Sequence, residues 1–537
     1  MLLSSPQDLA SGVTLTDVKQ LLGINLPCWL AEFGRLLSKA LDPISWGLRM
    51  EALKCMMLMV TGFSKLCAPH IGPALTAAWQ RATAAAPYDG LHANDGGADE
   101  ILHLVLETLT AALTAAPEAA VQWEPLISEP TLRVWVANVS DPLLSVDSRE
   151  LLEALAAIPA CLPSLQARML PTLCGILAAP HQHSPILVDG AVELVTLALA
   201  PSPPDAAQHI HAAASPAILQ LAMGHDDAEV LRSATAYLRT LLQVGGSAAL
   251  GWPGVPDCLA ALLAAVQRLL SPELEDRACS LVGALILELL RHAGPQMAPL
   301  LPGLLSALAY KLIAAEDSAM VQSLLCVLAQ LLHADQQQLL DCLAGIQLSD
   351  GCSALEACMR KWCERQIEVR TAYDIRLTTA ALAALLTSSH PALDSVQVKG
   401  KRLDTESGVR TRARARAQAE QWSSVPLRVR IVMLLTDAFI EATTQDEASE
   451  DEWEEAGGSE EEEQDSEQAG GPSPALGSLR STMRRFAEAY QEDGGFDAED
   501  LVLSGVDARE AARRAADPIQ AIDIPAIVCE AFQRGCT

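Results

Sequence analysis

An all-α fold made of repeated helix pairs is what this sequence predicts, and three observations predict it. The first is composition. Half of the 537 residues are hydrophobic while only 4% are aromatic. Leu and Ala, strong helix formers, supply most of the apolar content, and the residues that favour strands are sparse. The second is length: a chain of this size exceeds one ordinary core and implies several domains or one extended repeat array. The third is an apolar stripe that returns with a period of 42 residues, clearest between 275 and 333.

In that stretch Leu281, Val282, Leu285, Ile286, Leu289 and Leu290 fall on one helical face, and Gly294-Pro295 ends the helix. A second helix follows, with Leu300, Leu301, Leu304, Leu305 and Leu308 on its inner side and Pro302 in its first turns. Leu324, Leu325, Leu328, Leu331 and Leu332 restore the pattern in a third. From Glu275 to Asp317 is 42 residues, the two-helix period of HEAT-type repeats. Helix pairs at 151–200, 205–246 and 257–292 fit the same scheme. Each pair leaves an apolar face bare unless a neighbour covers it, so the pairs are expected to stack into an α-α superhelix. Such a solenoid has a long concave inner surface, which suits wrapping a protein better than holding a small molecule.

In chain order, residues 1–82 read as HEAT-type helices and the Gly, Asp and Asn-rich "TAAAPYDGLHANDGGAD" at 83–99 as a flexible connector. The repeat solenoid occupies 100–440 and includes a basic loop at 399–418, with seven basic residues against two acids. Residues 441–480 have the composition of an acidic, disordered loop and not of a helix. A C-terminal helical segment closes the chain at 481–537.

Charge singles out the functional candidates. The formal net charge is −30, and residues 441–537 contribute −18 of it, with 25 acids against 7 bases. The densest run holds Asp446, Glu447, Glu450, Asp451, Glu452, Glu454, Glu455, Glu460, Glu461, Glu462, Glu463, Asp465 and Glu467, with Trp453 in its midst. A field of that sign repels nucleic acid and anionic membranes and attracts basic proteins. The bland reading of the run is a solubilising loop; Trp453 favours a binding role, because an exposed indole gives a partner an anchor. In the basic loop Arg410, Arg412, Arg414 and Arg416 alternate, which reads either as an anion contact or localisation signal, or as a plain loop neutralised by nearby acids.

Several classes are set aside. The 14 cysteines are scattered, without a C-x-x-C pair or a histidine at metal-ligand spacing. They read as reduced core residues of an intracellular protein. The N-terminus lacks the pattern of a signal peptide, and the longest apolar runs fall short of the ~20 residues of a membrane span. No phosphate-binding, dinucleotide-binding, zinc-protease or nucleophile-elbow motif is present, so neither an enzyme nor a cofactor is expected. His181 with His183, and His209 with His211, are spaced two apart and read as loop or surface histidines.

A family resemblance is carried by "VKGKRLDTESGVRTRARARAQAEQWSSVPLRVRIVMLL" at 398–435, by "DEWEEAGGSEEEE", and by "DPIQAIDIPAIVCEAF" at 517–532. Further matches in the same order are "LVLETL" (104–109), "MLPTLCGILAAP" (169–180) and "MVQSLLCVLAQLLH" (320–333). These segments resemble the C-terminal half of the importin-nine-like β-karyopherins, members of the importin-β family, while "LPCWLAEFGRLLSKALDPISWGLRMEALKCMMLMV" at 26–60 is similar to a much earlier repeat of that family. The resemblance implies a nuclear import receptor, found in cytoplasm, nucleus and nuclear envelope, that shields basic cargo such as core histones and ribosomal proteins. The acidic run is then the cargo contact. Ran in its GTP state and nucleoporins are the further partners implied, with Arg410, Arg412, Arg414 and Arg416 a candidate Ran or anion contact. The family's main Ran-binding repeats have no counterpart here, so a weakened or lost Ran contact is expected. No membrane insertion and no direct nucleic-acid binding are expected. A HEAT scaffold for a multiprotein complex, or a non-transporting importin fragment acting as a histone chaperone, are the alternatives.

Overall fold

The computed structural model describes residues 15–38, 46–62, 67, 70, 72, 79, 96–115, 117–118, 120–348, 351–402, 422–455 and 512–535. The chain forms two compact units, Met1–Ala265 and Val266–Thr537. The fold is all-α, as the composition and periodicity predict.

The first unit contains α1 (Leu15–Ser38), α2 (Trp46–Gly62), α3 (Gly96–Ala115), α4 (Ala120–Ala137), α5 (Pro142–Ala156), α6 (Leu162–Ala178), α7 (Pro185–Leu199), α8 (Pro204–Gly224) and α9 (Ala228–Gly245). Helices α2, α3, α5, α7 and α9 lie side by side in one layer, and α4, α6 and α8 in the other. The starts of α5, α7 and α9 are written into the sequence by capping residues. Asp141, Ser184 and Asp227, each 43 residues from the next, accept hydrogen bonds from the first free N–H groups of their helices. Pro142 and Pro185 follow the first two caps, where the missing N–H costs nothing. Leu151, Leu152, Val192, Val195, Leu238 and Leu241 then fill the space between the layers.

The expected connector does not separate one body from another. Helix α2 packs on α3 across it, and the Trp79 Nε1 donates to the Leu126 carbonyl at 3.3 Å. Helix α3 already begins at Gly96, and the connector residues 83–95 lie outside the described residues. The division between compact units falls instead within α10 (Cys258–Leu269).

The second unit continues with α11 (Asp276–Cys279), α12 (Val282–Ala293), α13 (Leu301–Ala314), α14 (Ser318–Ala334), α15 (Gln336–Gly345), α16 (Ala354–Arg365), α17 (Ala372–Thr387), α18 (Leu427–Glu455) and α19 (Ile524–Gly535). One layer is α12, α14, α17 and α19; α13, α16 and α18 form the other. Between α17 and α18 lies an antiparallel strand pair, β1 (Gln397–Arg402) and β2 (Trp422–Pro426), with Val398 opposite Val425 and Lys399 opposite Ser424. It packs on α16 and α18. The fully buried Trp362 and Leu355 of α16 and Leu324 and Leu328 of α14 mark the core.

Two expectations are corrected here, for Leu300 and for 441–455. The stretch Asp276–Ala314, taken whole, is long and apolar enough to cross a membrane. Gly294, at φ 51°, and a 3-10 turn over Gly294–Leu300 divide it into helices of 12 and 14 residues. Leu300 belongs to that turn and is 42% exposed, so the inner stripe of α13 consists of Leu305, Leu308 and Leu312. Finally, 441–455 is helical backbone, the end of the 29-residue α18, where composition suggests a loop. Glu and Ala are good helix formers and no Gly or Pro interrupts the run before Gly457, which outweighs the unfavourable placing of acids at a helix C-terminus.

Candidate binding surface

Helix α18 follows strand β2 directly and carries the first acids of the acidic run. The β1–β2 pair, which brackets residues 403–421 in sequence, is clamped to α16: Lys399 Nζ lies 2.8 Å from Glu364, and Arg360 Nε donates to the Gln397 carbonyl at 2.9 Å. Arg410, Arg412, Arg414 and Arg416 lie outside the described residues. Strand β2 leads directly into α18, whose first turn is fixed by Arg428. That guanidinium reaches Asp394 at 3.0 Å and donates to the carbonyls of Leu386 and Ser388 at 2.6 and 2.7 Å, capping the C-terminus of α17. Leu427, Ile431, Leu434 and Leu435 bury the first half of α18.

At 1.5 Å per residue α18 is about 44 Å long, and the first acids of the run, Asp446 to Glu455 with Trp453 among them, fall on its distal end. Glu460, Glu461, Glu462, Glu463, Asp465 and Glu467 lie outside the described residues. Where the chain is described again it is pinned to the other layer. Arg513 pairs with Glu288 of α12, and Arg514 stacks 4.9 Å over the Tyr373 ring of α17. The Tyr373 hydroxyl donates to Asp517 at 2.9 Å and accepts from Gln330 of α14 at 3.0 Å. Burial, reinforced by Asp517, pushes that phenol far above its ordinary range. The acidic segment is thus anchored on the second unit at both ends.

In the first unit a polar ladder links successive helices of one layer. His103 of α3 meets Asp147 of α5 at 2.5 Å, Arg149 of α5 meets Glu193 of α7 at 3.4 Å, and Ser233 of α9 donates to Asp189 of α7 at 2.6 Å. Each link spans 44 residues, about one repeat. Burial, followed by the neighbouring charge of Glu193, pushes the Asp189 carboxyl up to about 6. A carboxyl raised in the fold stabilises it below its unfolded value of about 4, and that contribution is lost as pH rises through about 6. Asp189→Asn is therefore expected to raise the free energy of unfolding at pH 7.5 by about 1–3 kcal/mol, seen as a higher melting point, and to leave it little changed at pH 4. Melting both proteins at the two pH values checks this; an equal effect at both would show that the charge of Asp189 is not what matters.

The histidines divide. His181, at a 3-10 turn, is exposed, but His211 is fully buried on α8, against the expectation of a surface pair. Its Nδ1 lies 2.8 Å from Ser215 Oγ, which lies 2.7 Å from the Tyr237 hydroxyl, and Trp252 packs edge-on at 5.8 Å. Burial lowers the His211 pKa, so the ring is neutral. The signal was available: His211 follows Ile210 and precedes Ala214 and Ile218 on the buried stripe of α8, with Ser215 one turn away.

None of the cysteines among the described residues is in a disulfide. Cys67, Cys161, Cys258, Cys279, Cys326, Cys358 and Cys363 are buried, while Cys28 and Cys529 are exposed. Burial pushes Cys279 up to about 11 and Cys358 up to about 12, which keeps them as unreactive thiols. Among the described residues no group of three or more His, Cys, Asp or Glu side chains is placed to hold a metal ion.

Stacked helix pairs, layered in each unit, define an all-α repeat protein. The family model "Importin-11-like, TPR repeats" matches residues 149–536, and the chain belongs to the importin-β family. Among its relatives, Importin subunit beta-5 of Schizosaccharomyces pombe is 26% identical over 377 residues, 66% of this chain and 36% of that protein. Importin-9 of Drosophila melanogaster is 24% identical over 353 residues, 64% of this chain and 34% of that protein. Importin subunit beta-5 of Saccharomyces cerevisiae is 30% identical over 174 residues, 32% of this chain and 17% of that protein. The chain therefore spans at most 36% of the length of these relatives.

Proposed function

We propose that this chain acts in nuclear transport as a receptor that binds and shields basic proteins, core histones and ribosomal proteins being the cargo class that fits. Membership of the importin-β family supports the transport role. The cargo class rests on one observation: an acidic, Trp-bearing segment is tethered at both ends to a helical-repeat unit. Many carboxylates on such a tether engage a cationic surface in many registers. Each exposed pair adds only about 0–1 kcal/mol, but together they raise the association rate and keep the cargo from nucleic acid. Asp446 to Glu467 and Trp453 are the proposed cargo contact. Ran in its GTP state is the proposed release signal, through a contact weakened or lost without the family's main Ran-binding repeats, with Arg410, Arg412, Arg414 and Arg416 as its candidate site. Nucleoporins complete the proposed set of partners, and the receptor moves between cytoplasm and nucleus through the nuclear envelope.

The test is a titration of the intact chain, and of one lacking residues 446–467, with a core-histone dimer. Deletion is expected to weaken binding at least tenfold at about 0.15 M salt, and the difference is expected to shrink at higher ionic strength. Equal binding by the two forms would favour a scaffold whose acidic segment only solubilises. Adding Ran in its GTP state to the preformed complex then separates a transport receptor, which releases, from a chaperone, which does not.

A further inference from the structure

Helix α18 has a bare apolar face. Val429 is 47% exposed, Val432 38% and Ile440 54%, so about half of a core-type side chain is left in water at two of three positions. Thr436, also exposed, sits between them and donates its hydroxyl back to the Val432 carbonyl at 2.8 Å; Thr444 does the same to Ile440 at 2.9 Å. These threonines therefore require no polar partner of their own. Val429, Val432, Thr436 and Ile440 follow the spacing i, i+3, i+7, i+11, one stripe of a helix. Exposed Asp437 and Glu441 flank it.

The chain itself contains a matching stripe. Between Gly477-Ser478 and Gly494-Gly495, the residues Leu479, Met483, Phe486 and Tyr490 recur at i, i+4, i+7, i+11, the spacing of an amphipathic helix. Ser478 has the identity of an N-cap and the glycine pair that of a stop. Arg480, Arg484 and Arg485 flank this stripe, three of the four basic residues between 441 and 511. The two stripes are equally long, 11 residues or about 16 Å, and one is bordered by acids where the other is bordered by bases. Reach is sufficient as well: the 24 residues from Glu455 to Leu479 span up to about 80 Å, while the return along α18 from Glu455 to Ile440 is about 22 Å. The basic loop is a poorer occupant, since residues 403–421 contain no aromatic residue.

We propose that residues 479–490 pack antiparallel along the exposed face of α18, with Leu479 beside Ile440 and Tyr490 beside Val429. The chain between them becomes the turn of a helical hairpin. The acids Glu460 to Glu467 are then held at the hairpin's tip, and do not trail from its base. This concerns where the acidic segment is held, and it stands or falls apart from any affinity for basic proteins.

The test is made on the full-length chain with Cys28, Cys529 and Cys536 replaced by serine. In that background Ile440→Cys with Leu479→Cys is expected to form an intramolecular disulfide on mild oxidation, at least fivefold faster than Ile440→Cys with Tyr490→Cys. In parallel, Phe486→Asp is expected to speed amide exchange over 429–444 at least threefold while α14 is unaffected. Equal cross-linking of the two pairs, or unchanged exchange, would overturn the proposal. A disulfide that forms only between molecules would overturn it in favour of a second copy of the chain as the occupant.

Discussion

Gly283→Ala is expected to destabilise the second unit by about 3 kcal/mol, although alanine is the better helix former by up to about 1 kcal/mol. The structure reverses the sign because α12 meets α14 backbone to backbone at this point. A Cβ on Gly283 would sit 2.3 Å from the Ser323 carbonyl oxygen and 2.5 Å from its hydroxyl oxygen. The same hydroxyl accepts a hydrogen bond from the Gly283 N–H at 3.2 Å, satisfying a donor near the start of α12 that the helix itself leaves free. Alanine would have to push α14 away and break that bond. Gly303 in α13 provides the contrast, since a Cβ there meets nothing within 4 Å. Gly303→Ala is expected to stabilise by about 0.5–1 kcal/mol. Urea unfolding followed by helical circular dichroism reads both; a neutral or stabilising Gly283→Ala would mean that the two helix backbones do not meet here.

The second large effect is expected at Lys311. Its side chain is 1% exposed, and its ammonium lies 3.1 Å from Asp276 and donates to the Leu274 carbonyl at 2.7 Å. Asp276 in turn accepts the N–H groups of Glu316 and Asp317 at 2.7 and 3.0 Å. One carboxylate thus ties the start of α11 to the end of α13 and the beginning of α14. Asp276→Ala leaves a buried cation without its counterion, and a loss of about 3–5 kcal/mol is expected. Pairing it with Lys311→Met should restore most of that loss, because the side chain buried there is then apolar. If the double variant is no more stable than Asp276→Ala alone, the buried charge is not the source of the loss. Burial by itself would raise the Asp276 pKa, but the two N–H groups and Lys311 outweigh it and hold the carboxyl below its ordinary value. Its contribution is therefore complete above about pH 4. It disappears as pH falls through the lowered value, so acid unfolding should be blunted in the double variant.

The helices are legible in the sequence because three independent signals coincide. For α14 the apolar stripe, the start at Asp317 and the 42-residue period all name the same helix. The strand pair is not legible: β1 reads "QVKGKR", basic and interrupted by Gly400, with a single apolar residue, Val398, buried. Its stability comes from α16 and α18, which no local pattern records. His211 is misread because the histidine at i−2 invites the comparison, while Ser215 at i+4 is the informative neighbour. For the charged segments, composition names the residues but not their mounting. Arg513 and Asp517 are ordinary surface residues in the sequence, and only Glu288 and Tyr373 on distant helices give them their role as anchors.

Those anchors also order the events of folding. The ladder through His103, Arg149 and Ser233 closes loops of 44 residues, so the first unit can grow outward from any helix pair at small entropic cost. The contacts of Arg513 with Glu288 and of Tyr373 with Asp517 close loops of 225 and 144 residues, and each needs its receiving helix to be in place first. During synthesis α12 and α17 are complete long before residue 513 exists. The acidic run is then made while it is still tethered at one end alone. Its second attachment forms only once residues 513–517 exist, and α19, which follows, has still to dock on α17 and α18.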